Sequence, residues 1–130
     1  MSHLRKYILI SAVAVLLTTA CNSADDRLRT YFDIPKSATL NEATILDAIL
    51  LKIPLLTPEP AVRQKLLELG IGKDKLSGYY GPDKDRKSVI RIEYDPNSFD
   101  VVSRHYGIHL AYDAEMKLHD VVVSIWLTGP

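Results

Sequence analysis

The spacing of apolar residues changes once along the chain, at Gly70, and this change constrains the fold more than any other feature. Before Gly70, apolar side chains recur every three or four residues, which is the period of a helix buried on one face; they are Leu46, Ile49, Leu50 and Ile53 in one segment and Val62, Leu66 and Leu69 in the next. After Gly70, apolar and polar residues alternate, as in strands with one buried face. Helices followed by strands predict a two-layer α+β domain.

Local signals place the ends of the two predicted helices. Thr39-Leu40-Asn41-Glu42 fits a capping box, in which the Thr39 hydroxyl and the Glu42 carboxylate bond to each other's backbone. The helix that follows covers about residues 40–52 and stops before Pro54. Thr57-Pro58-Glu59 opens the second helix with a capping hydroxyl, an early proline and an acid at the positive end of the helix dipole. Gly70 ends it.

Three segments alternate strongly enough to predict strands, at residues 88–94, 106–112 and 118–127. Residues 113–116 form the turn between the last two. The register across this turn stays open, because a one-residue shift exchanges the two faces of a strand. A two-residue turn would place His109 opposite Asp120. The predicted fold is therefore two N-terminal helices packed on an antiparallel sheet of three or four strands.

The first twenty residues have the pattern of a signal peptide. Residues 1–6 are basic, and residues 7–17 are all small or apolar. Eleven residues span only about 16 Å as a helix, too little for a hydrocarbon core of about 30 Å. A basic head, a short apolar run and small residues at its end are typical of export followed by cleavage. A buried N-terminal helix is the alternative.

Cys21 is the only cysteine of the chain and directly follows this segment. Residues 16–21, LLTTAC, resemble the lipobox of bacterial lipoproteins, whose cysteine is acylated, with palmitate among the acyl groups, and becomes the mature N-terminus. A single cysteine in an exported chain forms no internal disulfide, which favours lipid attachment over redox chemistry. Asn22 at the next position implies, by the same resemblance, the outer membrane and the periplasm. Plain secretion is the alternative.

The mature chain divides into two parts. Residues 21–38 mix charged and small residues without a sustained period, and we interpret them as a lipid-anchored tether. Within them, Tyr31-Phe32-Asp33-Ile34 is apolar enough to dock on the domain. Residues 39–130 are long enough for one small domain with a modest core.

Composition excludes several classes of function. The chain has 130 residues, with 16 Lys and Arg against 16 Asp and Glu, so it lacks the clustered basic excess of a nucleic-acid binder. No serine lies in a G-x-S-x-G motif, so the sequence favours a protein that is not an enzyme. His105, His109 and His119 are the candidate metal ligands. His105 and His109 share a strand face but stand about 13 Å apart, too far to bind one ion, and a site would need further ligands that the sequence does not show. We predict no metal site and no cofactor.

Aromatic and basic residues provide candidates for partner binding. They are Tyr79, Tyr80 and Trp126, together with Lys84 and Arg86 in the charged loop 81–87. Tyrosine and tryptophan dominate the energetics of protein interfaces. Val122 shares the strand face of Trp126, and an exposed face would bring these side chains into one contact surface. The alternative is that the helix pair or the docked tether covers them.

The pattern as a whole resembles a known family. Thr57-Pro58-Glu59, Val62, Leu66, Leu69-Gly70 and Tyr112-Asp113 before Lys117 resemble the small outer-membrane lipoproteins of the SmpA/OmlA type, whose fold is related to β-lactamase-inhibitor-protein repeats. This resemblance implies an accessory or structural role through binding to an envelope protein. An inhibitor or immunity protein against a periplasmic toxin or hydrolase is a second hypothesis. A carrier of a small apolar ligand is the third.

Overall fold

A computed structural model describes residues 23–73, 77–93 and 103–128. Three helices precede a four-stranded sheet, so the predicted α+β class is confirmed, although the described residues contain one helix more than the two predicted. The elements are α1 (Ala24–Phe32), α2 (Glu42–Lys52), α3 (Glu59–Glu68), β1 (Ser77–Tyr80), β2 (Lys87–Ile92), β3 (Ser103–Tyr112) and β4 (Leu118–Thr128). The predicted signal peptide at 1–20 and Cys21 lie outside the described residues.

The sheet is antiparallel throughout, with the strands in the order β1-β2-β3-β4. One ladder of opposed residues crosses its centre, from Tyr79 through Ile90 and Ile108 to Val123. All four side chains are buried, so they mark the inner face of the sheet, on which the helices pack. The predicted alternation of β2 and β3 is confirmed over the residues that the structure describes.

The turn between β3 and β4 decides the register that the sequence left open. The Asp113 carboxylate accepts hydrogen bonds from the backbone N–H groups of Glu115 and Lys117, at 3.0 and 2.9 Å. A register shift follows between Ala111 and Tyr112. His109 therefore pairs with Val122 and not with Asp120, because the turn contains three residues, 114–116, instead of two, and the irregularity adds one more residue to β4.

Helix α1 occupies part of the segment that we interpreted as a tether. Ser23 caps it by accepting a hydrogen bond from the Asp26 N–H at 3.2 Å, and Asp33 ends it in the left-handed conformation at φ 52°. Leu28 and Phe32 are buried in the main core. Residues 24–34 thus belong to the folded domain. Phe32 and Ile34 pack on it, as predicted, and so does the rest of helix α1.

The caps of α2 and α3 differ from the predicted ones. Asn41 is the N-cap of α2 and accepts from the Thr44 N–H at 2.8 Å, so the predicted cap at Thr39 is wrong by two residues. The Thr57 hydroxyl donates to the Pro54 carbonyl at 2.7 Å instead of capping α3. Gly70 follows α3 at φ 93°, a left-handed conformation that glycine adopts without steric cost.

The two ends of the sheet differ in character. At the turn end, the loop 81–86 joins β1 to β2 and the turn 113–117 joins β3 to β4. At the open end, β2 and β4 end while β1 and β3 begin, with Ile92 opposite Tyr106 and Ser103 opposite Thr128. Helix α1 begins at the open end, where the Tyr106 hydroxyl donates to the Asp25 carboxylate at 2.5 Å.

Candidate binding surface on the outer face of the sheet

The outer face of the sheet, opposite the helices, carries a row of exposed side chains. The register aligns Tyr80, Val89, His109 and Val122 across all four strands. Tyr80 is 53% exposed and Val122 is 52% exposed. In the described part of the chain, all three helices pack on the inner face instead, so these apolar side chains stay in solvent.

Trp126 lies on the same face, nearer the open end. Its ring stacks on His105, with centroids 5.5 Å apart and an angle of 10° between the planes. The indole also covers Gly107, where an added Cβ would come within 3.1 Å of a Trp126 ring carbon. The absence of a side chain at Gly107 thus allows the indole to lie flat on the strand. Trp126 remains 37% exposed, as a fixed aromatic surface.

Tyr80 and Trp126 stand at opposite corners of this face. Trp126 is four residues along β4 from Val122, about 13 Å, and Tyr80 is three strands away from Val122, about 14 Å. The exposed side chains from Tyr80 through Val122 to Trp126 therefore form a band across the outer face of the sheet. A partner of ordinary size covers such a band, since one side of a typical interface buries about 800 Å².

Tyr79 does not belong to the surface, and its predicted place there is wrong. It points inward because neighbouring residues of a strand face opposite sides. Its hydroxyl donates to the Glu59 carboxylate at 3.2 Å and lies 3.2 Å from the Ser88 hydroxyl and 3.4 Å from that of Tyr112. Burial, with the hydrogen bond to Tyr112 and the nearby carboxylate adding to it, raises the pKa of Tyr79 well above its usual range.

The buried hydroxyls fix helix α3 to the sheet. Glu59 is the first residue of α3 and is buried, with Arg63 donating to its second oxygen at 2.8 Å. The Glu59 N–H also donates to the Met116 carbonyl at 2.9 Å, which ties the helix to the β3–β4 turn. These groups bond mainly to one another inside the core, so the arrangement supports a structural role rather than contact with a substrate.

Lys84 and Arg86 are exposed in a turn of fixed shape at the turn end. The Asp83 carboxylate accepts from the N–H groups of Asp85 and Lys87 at 2.8 and 3.2 Å. Arg86 adopts a left-handed conformation at φ 61°, and its carbonyl accepts from the Tyr112 N–H at 2.9 Å. Both predicted cations therefore lie at the same end as Tyr80 and away from Trp126.

The structure adds exposed leucines that the sequence analysis missed. Leu51 is 83% exposed at the end of α2, and Leu55 and Leu56 are exposed in the α2–α3 loop. Leu56 also has a left-handed backbone, at φ 71°. For Leu51 the available signal was its place beside Leu50, since adjacent residues of a helix point about 100° apart; for Leu55 and Leu56 it was their place directly after the helix-ending Pro54.

The histidines and a groove at the open end are the candidates for a small-ligand site in the described residues. His119 bonds to the Ala111 carbonyl at 2.9 Å, and the described residues hold no group of three or more potential metal ligands. A groove of about 660 Å³ lies at the open end, lined by Leu40, Asn41, Glu42, Ala43, Arg104, Ile125 and Leu127. It opens to solvent, whereas a carrier of the predicted kind would enclose its ligand between helices and sheet.

Comparison with known proteins gives no relative from which a function could be inferred. No family model, curated protein or solved structure matches the chain. Among the described helices, none combines the length and hydropathy needed to cross a membrane. The resemblance to the SmpA/OmlA-type lipoproteins stays a prediction.

Proposed function

We propose that this protein is a lipid-anchored periplasmic protein of the outer membrane that binds another envelope protein through the outer face of its sheet. The anchor is the acylated Cys21, and the role is accessory or structural rather than catalytic. The observation that supports binding is the row of side chains that runs from Tyr80 to Val122, both about half exposed, on a sheet face that the helices leave uncovered. Exposed apolar groups of this kind mark interaction sites.

The arrangement also fits what is needed for specific recognition. Trp126 is held flat on Gly107 and against His105, so it loses little side-chain freedom when a partner covers it. Lys84 and Arg86 supply cations at the other end of the band, where charge orients an approaching partner. Apolar anchors between polar groups are the usual composition of an interface.

In-cell crosslinking of the tagged, lipidated protein tests this proposal, with Val122→Arg as the disruptive variant. An arginine there puts a charge between Tyr80 and Trp126 on the proposed surface, and we expect capture of the partner to fall at least tenfold, the effect of about 1.4 kcal/mol. Leu67→Arg is the matched control, because Leu67 is 58% exposed on α3. Capture that is equal in both variants, or absent from the unmodified protein, contradicts the proposal.

The identity of the captured protein separates the two kinds of partner. A stoichiometric envelope protein supports the accessory role, and a secreted toxin or hydrolase supports inhibition. An inhibitor would rely on the charged turn, since Lys84 and Arg86 are exposed on a fixed backbone. Charge reversal at both positions would then abolish capture, whereas an accessory protein bound through Val122 would lose less.

A further inference from the structure

The groove at the open end is apolar on two sides and open to solvent. Leu40 and Ala43 line it from the start of α2, and Ile125 and Leu127 line it from the end of β4. Leu127 is 62% exposed there. Apolar side chains at the rim of a domain need an occupant, and the course of the chain at this end indicates which one.

Helix α1 begins beside the groove and is firmly attached. Its Asp25 accepts from the Tyr106 hydroxyl at 2.5 Å and lies 3.9 Å from Arg104, which also lines the groove. Burial of Leu28 and Phe32 holds the rest of the helix on the sheet. The N-terminus of this helix therefore keeps a fixed position relative to the groove.

Cys21 is two residues before Ser23, the N-cap of α1. Two residues extend over at most about 7 Å. An acyl group on Cys21 is therefore attached close to the open end, without the long flexible spacer that residues 21–38 would provide as a tether. A domain held this closely to its anchor presents one particular end to the membrane.

We propose that the open end of the domain rests on the phospholipid surface, with Leu127 inserted at the boundary between headgroups and acyl chains. This inference rests on the proposed lipid anchor at Cys21. The turn end, with Lys84 and Arg86, then points away from the membrane towards the periplasm. Trp126 precedes Leu127 on β4 and points to the other face of the sheet at the same level, where tryptophan is favoured in membrane proteins.

Trp126 also makes the inference measurable, because it is the only tryptophan of the chain. The acylated full-length protein is reconstituted into phosphatidylcholine vesicles with and without brominated acyl chains, which quench nearby indoles. Zwitterionic lipid is chosen because Asp25, Asp26 and Glu42 lie at this end. We expect the brominated vesicles to at least halve the fluorescence of Trp126.

Two variants, each of which replaces an exposed leucine with aspartate, locate the contact with the lipid. Leu127→Asp should restore most of the fluorescence, since a carboxylate at the rim is costly to bury in lipid. Leu51→Asp, at the far end of α2, should be quenched like the unmodified protein. The ratio of intensities in brominated and plain vesicles is compared, so that a change in the intrinsic emission of Trp126 cancels.

Sedimentation of the same samples distinguishes failure of the orientation from failure of the anchor. Protein that sediments with the vesicles but is not quenched overturns the orientation and leaves the anchor standing; a second copy or another protein in the groove would give this result. Acylated protein that does not sediment overturns both. Equal quenching of the Leu127→Asp and Leu51→Asp variants overturns the assignment of the contact to the groove.

Discussion

Tyr79 and Tyr80 are adjacent in β1 and have opposite environments, so each serves as a control for the other. The Tyr79 hydroxyl lies among Glu59, Ser88 and Tyr112 in the core, whereas Tyr80 faces solvent. Removing a hydroxyl from the first position leaves buried polar groups with fewer partners. Removing it from the second changes only contacts with water.

We expect Tyr79→Phe to lower the free energy of unfolding by about 1–3 kcal/mol, the cost of buried groups left without a hydrogen bond. Tyr80→Phe should stay within about 0.5 kcal/mol of the unmodified protein. Urea titration at neutral pH measures both. A smaller loss for Tyr79→Phe than for Tyr80→Phe would show that the buried hydroxyls do not stabilise the fold.

The same pair of variants tests how the free energy of unfolding changes at alkaline pH. Burial raises the pKa of Tyr79, Tyr106 and Tyr112 in the folded state, so above about pH 10 the unfolded chain loses tyrosine protons that the folded chain keeps. The free energy of unfolding is therefore highest below this pH and falls as the pH rises further. Tyr79→Phe should make this fall less steep than Tyr80→Phe does.

At the scale of elements, the sequence predicted the periodic segments well and the non-periodic ones poorly. Alternation located β2 and β3 because each has one buried face over six or more residues, and the β-branched residues of 121–125 located β4. Strand β1 is only four residues long, Ser-Gly-Tyr-Tyr, which is too short for alternation to stand out, so the sequence does not separate the buried Tyr79 from the exposed Tyr80. The register at Ala111 depended on an irregularity that no alternation records.

The sequence of helix α1 contains a weak helical pattern. Ala24, Leu28 and Phe32 are spaced four residues apart, and Ser23 precedes two acids that suit the start of a helix. Nine residues are too few to form a stable helix alone, since isolated helices below about 12 residues are marginal in water. Packing on the sheet decides its structure, and the local sequence does not show this.

A substitution within α1 tests whether this segment belongs to the core. Leu28 is fully buried, so we expect Leu28→Ala to lower the free energy of unfolding by about 2–5 kcal/mol. Thr30→Ala, on the exposed side of the same helix, should change it by less than about 0.5 kcal/mol. Thermal and urea unfolding provide the comparison. Equal stability of the two variants would mean that residues 24–32 act as a loose tether after all.

The whole molecule separates its proposed attachment from its proposed binding surface. Helix α1 lies on the inner face of the sheet and begins at the open end, so a lipid on Cys21 is attached on the helical side. The outer face carries Val122, and the charged turn lies at the end of the sheet opposite to the start of α1. Val122 and the charged turn are therefore not among the side chains proposed to meet the membrane, whereas Trp126 lies where the two proposed surfaces adjoin.

Substitution of Cys21 tests the attachment on which this separation depends. Cys21→Ser removes the thiol that accepts the acyl groups, and since two or more chains are needed for stable anchoring, we expect the variant to lose incorporation of a palmitate analogue and to leave the membrane fraction. Asn22→Ser is the control, because it changes the neighbouring residue and keeps the thiol. The folded domain should be unaffected, since Ser23 still caps α1. Incorporation that is absent from the unmodified protein, or equal in the Cys21→Ser variant, would contradict lipid attachment at this residue.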